Sequence, residues 1–140
     1  MSVPQIAVLA LVLIGGPILS VRVVPHGPKD DLGRPSRFLH WGFWGAILCF
    51  GLAMGADTLF AASPADSVPP IIASNVLMSV FYVSGCFYWT ALGVLAHRLR
   101  SSWILWVVIG IATLAIGFVA SYLMMASRVR IELATKENAA

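Results

Sequence analysis

Residues Arg34 to Gly55 read R-P-S-R-F-L-H-W-G-F-W-G-A-I-L-C-F-G-L-A-M-G. The stretch opens with charge and proline, passes a histidine set among aromatics, and continues as an apolar run long enough to enter a bilayer. On a helix, residues three and four apart share a face, so His40, Trp44, Ile47, Gly51 and Gly55 fall on one side. A histidine aimed along a glycine-lined face at a membrane boundary is the strongest candidate for chemistry in this chain.

Composition agrees with the bilayer. The 140 residues are 59% hydrophobic and 11% charged, too few charges to cover the surface of a soluble domain. The net charge of +3 does not point to nucleic acid, because the cations stand at the ends of apolar runs. Cys49 and Cys86 both lie inside such runs without a C-x-x-C spacing, and read as buried apolar side chains.

Working outward, four apolar segments predict an all-α membrane protein, a single domain over residues 1–140 with spans at about 3–24, 38–60, 71–96 and 103–125 in an antiparallel bundle. The first has no cation before Arg22 and is long for a signal peptide, so it is expected to remain in the mature protein. Gly15-Gly16-Pro17 predicts a kink there, tolerated if a neighbour satisfies the carbonyl that proline frees. Pro25, Pro28 and Pro35, with Gly27 and Gly33, predict an irregular solvated loop from Pro25 to Ser36. His26, Asp30 and Asp31 within it match no metal-site spacing. The tail from Ala126 to Ala140 has mixed charge and can extend the last helix into water.

Cations set the orientation. Arg22, Lys29, Arg34 and Arg37 lie in the first loop and Arg98 and Arg100 in the third, which predicts both loops in the cytoplasm and both termini outside. Arg128, Arg130 and Lys136 in the tail oppose that assignment. Trp41, Trp44, Trp89, Trp103 and Trp106 then all lie toward the cytoplasmic side, as an interfacial belt or as the walls of a site.

Small residues mark faces where helix backbones approach. They predict inward faces at Gly51 and Gly55, at Ser79, Cys86, Thr90, Gly93 and His97, and at Gly110, Thr113, Gly117 and Ser121. His40 and His97 then fall at one depth on facing helices, where two imidazoles suit the axial positions of a b-type haem. Each also suits an ordinary interfacial histidine.

Arg37-Phe38-Leu39-His40-Trp41, followed by an apolar span and Gly51, resembles the R-x-x-H-W start of a span in prokaryotic cytochrome b561-type proteins and hydrogenase cytochrome b subunits. The resemblance covers about 20 residues of the 140 and implies a membrane electron carrier with His40 as a haem ligand. That family opens its first span with this motif and carries further histidines; here the motif opens the second span, and His97 is the one other histidine in a span.

Two functions are expected from these residues. One is a small integral subunit of a respiratory or redox complex in a bacterial inner membrane, holding one haem b or a quinone near His40, His97, Arg37, Trp44 and Trp89. The other is a non-catalytic structural or assembly subunit without a cofactor. Both take the lipid bilayer and other membrane subunits as partners, and neither needs nucleic acid. No nucleophile–base or carboxylate pair assembles, so an enzyme acting alone is not expected.

Overall fold

The computed structural model describes residues 3–28, 31–59, 68–102, 104–106, 108 and 114–138. Four long helices organise them: α1 (Val3–Val23), α2 (Gly33–Leu59), α3 (Val68–Arg98) and α4 (Leu114–Asn138). Among the described residues there is no strand. Trp103, Gly110, Thr113, Asp30 and the loop residues 61–67 lie outside the described residues.

Helix α2 starts at Gly33, five residues before the expected boundary at 38, and the start accounts for its own backbone donors. Ser36 N donates to Leu32 O, the first helical bond, at 3.1 Å. Asp31 Oδ1 accepts from the amides of Gly33 (2.8 Å) and Arg34 (3.4 Å). Pro35 takes the next position, where it has no N–H left to satisfy. The proline and glycine that suggested a loop are therefore compatible with a helix start. The expected loop is not wholly solvated either: Leu32 and Pro35 are buried in it.

Pairing is read directly from contacts. Phe38 stacks on Phe87 at 5.5 Å. Further along, a Cβ at Gly42 would lie 2.6 Å from Tyr88 N and 2.8 Å from Ser84 O, and one at Gly45 would lie 2.8 Å from Ser84 Oγ. The two helices are thus antiparallel and touch backbone to backbone at Gly42. This is a different face of α2 from the one expected. Gly51 and Gly55 have open space beside them, whereas Leu39, Phe43, Ala46 and Cys49 are buried. On α3, Cys86 and Thr90 do turn inward, against α1: Gly16 approaches Cys86 Sγ, and Ser20 Oγ is 2.9 Å from Thr90 Oγ1. Helix α1 therefore runs parallel to α3.

Helix α4 overturns one part of the expected bundle. Phe118 packs on Phe43 and Tyr88, whereas Tyr122 packs on Phe43 and on His40, earlier in α2. The helix is therefore antiparallel to α2, where a fourth crossing in an up-and-down bundle would be parallel to it. Trp106 lies beside Ser101, to which its Nε1–H donates at 2.9 Å, and the Arg128 guanidinium covers its ring at 5.8 Å. The chain thus leaves the end of α3 at Trp106, reaches the depth of Tyr88 at Phe118, and returns to Arg128.

Gly33–Ala56 and Ala73–Arg98 are long and apolar enough to cross a membrane, and Ala10–Val23 is a shorter apolar helix. The expected span at 103–125 is not a described membrane-crossing helix: among the described residues its later part belongs to α4, which continues to Asn138 with charged residues from Arg128 onward.

Candidate functional site

The end of the bundle where α2 begins and α3 and α4 finish collects Arg22, Arg34, Arg37, Arg98, Arg100, Arg128, Arg130 and Lys136. Arg98 draws the first loop onto this end. Its guanidinium donates to the carbonyl of Asp31 and, at 3.3 Å, to that of Pro25. Helix α3 closes with a left-handed residue, Arg100 at φ 52°, and Ser101 N donates back to Ala96 O at 2.8 Å.

On the outer side of this end, Asp31, Gly33, Arg34, Arg37, Phe38 and Trp41 line an open groove of about 470 Å³. Arg34, Arg37 and Trp41 share one face of α2 at spacings of three and four. Arg37 was expected at a site and Trp41 as part of an interfacial belt or a site wall; Arg34 was not, although the same periodicity identifies it. Among the described residues neither guanidinium has an ion pair or hydrogen bond.

The other expected site residues do not gather there. His40 donates from Nδ1 to Ser36 O at 2.7 Å, which leaves Nε2 as the acceptor, the form an imidazole ligand takes. Its ring meets the edge of Tyr122 at 5.4 Å. Trp89 is half-buried beside Tyr88 and Phe118. Trp44 is 57% exposed, and His97 is exposed.

The two imidazoles differ in depth. His40 stands level with Tyr88, and His97 is nine residues further along α3, about 13 Å nearer the basic end. Between them the helices touch at Gly42, and Phe43 stacks on Tyr122 at 3.8 Å with the rings 4° apart. Among the described residues no group of three or more His, Cys, Asp or Glu is placed to hold a metal ion.

The interior is filled by aromatic rings and paired hydroxyls. Tyr88 Oη lies 2.9 Å from Phe118 O and 2.7 Å from Ser121 Oγ, and Ser121 Oγ lies 2.5 Å from Gly117 O. The Tyr88 and Ser121 hydroxyls serve helix carbonyls and each other, so the pair holds α3 to α4. No family model matches this chain, and no match is found among curated proteins or solved structures.

Proposed function

We propose that this chain is an integral membrane protein that works as a non-catalytic packing or docking subunit of a membrane assembly. The distribution of side chains supports this reading above all. Ser20 is 0% and Ser121 1% exposed, whereas Leu11, Ile14 and Ile18 on α1, Leu48, Leu52 and Met54 on α2, and Val76 and Met78 on α3 all face outward. A water-soluble bundle turns its aliphatic groups in and its hydroxyls out. The opposite arrangement suits lipid, where an unpaired hydroxyl costs more than an exposed methyl group.

In this reading α1, α2 and α3 cross the bilayer, and the last apolar segment enters from the basic end and returns to it through α4. All eight described cations then share one side, the cytoplasmic side of a bacterial inner membrane. The three tail cations cease to oppose the rest. The packed aromatic interior supports a structural role over electron transfer.

Membrane fractionation with alkaline carbonate, followed by a spectrum of the purified protein, tests the proposal. The chain should stay in the pellet and purify colourless from cells supplied with haem. Release by carbonate would remove the membrane reading. A Soret band lost in His40→Ala would restore the redox reading.

A further inference from the structure

We infer that the groove lined by Arg34, Arg37, Phe38 and Trp41 binds the phosphate of one anionic phospholipid. The inference rests on the membrane reading and assigns a ligand to one place on its surface. Two guanidiniums one turn apart face the same groove, and among the described residues neither is neutralised. The acidic side chain in the groove, Asp31, turns its Oδ1 to the amides of Gly33 and Arg34 and makes no ion pair with either guanidinium among the described residues. The guanidiniums are therefore the donors that remain for an anion, and they match a phosphate in charge and geometry.

The apolar half of the groove lies deeper along α2. Phe38 rests on Phe87, and Trp41 is 77% exposed, the second most exposed large hydrophobic side chain described. An indole left bare at a membrane boundary is suited to the glycerol and upper acyl region of a lipid. Cation above and indole below follow the order of a phospholipid from headgroup to chain. Free inorganic phosphate offers the same charge to the arginines and nothing to Trp41. Arg98, Arg100, Arg128 and Arg130 gather at the same end and raise the local concentration of anionic lipid there.

Native mass spectrometry of the full chain in neutral detergent tests this, with phosphatidylglycerol, phosphatidylcholine and inorganic phosphate added separately. Wild type should retain one phosphatidylglycerol in preference to phosphatidylcholine. Arg34→Gln with Arg37→Gln should weaken that adduct about thirtyfold, on the scale of two cations lost beside an anionic lipid. Arg130→Gln, at the same end but off the groove, should leave it unchanged, and Arg37→Gln alone gives a milder loss if the double variant folds poorly. Equal loss in Arg130→Gln, equal retention of phosphatidylcholine, or phosphate binding as tight as lipid would overturn the assignment. Those results are distinct from release by carbonate, which strikes the membrane reading itself.

Discussion

The Tyr82 hydroxyl donates to the Leu13 carbonyl across the α1–α3 interface at 3.1 Å. Leu13 is four residues before Pro17, so its carbonyl is the acceptor that the missing proline N–H leaves without a helical partner. A break in one helix is thus repaired by a side chain of another. Gly16 lies beside the break and lets α3 come close, with Tyr82, Val83 and Cys86 all near its backbone.

Tyr82→Phe should therefore cost about 1 kcal/mol, within the range of interhelical hydrogen bonds in membranes. Pro17→Ala restores the N–H, so the same substitution should cost clearly less in that background. A double-mutant cycle by denaturant unfolding in detergent measures the difference. An identical cost in both backgrounds would show that the hydroxyl does not serve the proline break.

Gly42 makes the closest approach between α2 and α3. Gly42→Ala should destabilise by about 2 kcal/mol, because the new methyl meets the rigid backbone of Ser84 and Tyr88. Gly51→Leu should change stability by less than about 0.5 kcal/mol, since it adds a side chain into open space. The two midpoints compared in one detergent decide the face. A larger effect at Gly51 would return the interface to the glycines further along the helix.

The contrast between Gly42 and Gly51 shows what was legible in advance. Helix content and the positions of α2 and α3 follow from long apolar runs, and Cys86, Thr90 and Ser121 follow from small residues that must pack. The choice of face on α2 does not. Gly42, Gly45, Ala46 and Cys49 form one small-residue stripe and Gly51 and Gly55 another, and a span that is apolar all round gives no contrast between them. The depth of His40 was obscured by Gly33 and Pro35, which break helices in their interiors but begin this one. With α2 starting at Gly33, His40 lies two turns inside the helix. The return of α4 was hidden because an apolar segment of span length looks the same whether it crosses or folds back.

Arg100 holds a left-handed backbone conformation at φ 52° to close α3. A side chain there costs about 1 kcal/mol that glycine avoids. Arg100→Gly should raise stability by about that amount while Ser101 N keeps its bond to Ala96 O. Arg100→Ala removes the same charge without relieving the backbone and should give no gain. Equal midpoints for the two variants would mean that the turn carries no strain worth relieving.

The orientation of α4 leads to the sharpest topological outcome. Tyr122 against His40, Phe118 against Phe43, and Arg128 over Trp106 fix its direction as opposite to α2, so its charged end lies with the start of α2. A fourth full crossing would carry Arg128, Arg130 and Lys136 to the far side, against the preference of short cationic segments for the cytoplasm. Reporter fusions after Ser101 and after Asn138 should therefore both give the cytoplasmic signal. A fusion before Val3 should give the external one, because α1 is parallel to α3 and begins at the opposite end. Neutralising Arg128, Arg130 and Lys136 together should loosen the hairpin, so that some fusions after Asn138 report outside. An external signal from the unmodified chain after Asn138, with a cytoplasmic one after Ser101, would make 103–125 a true span and undo the hairpin.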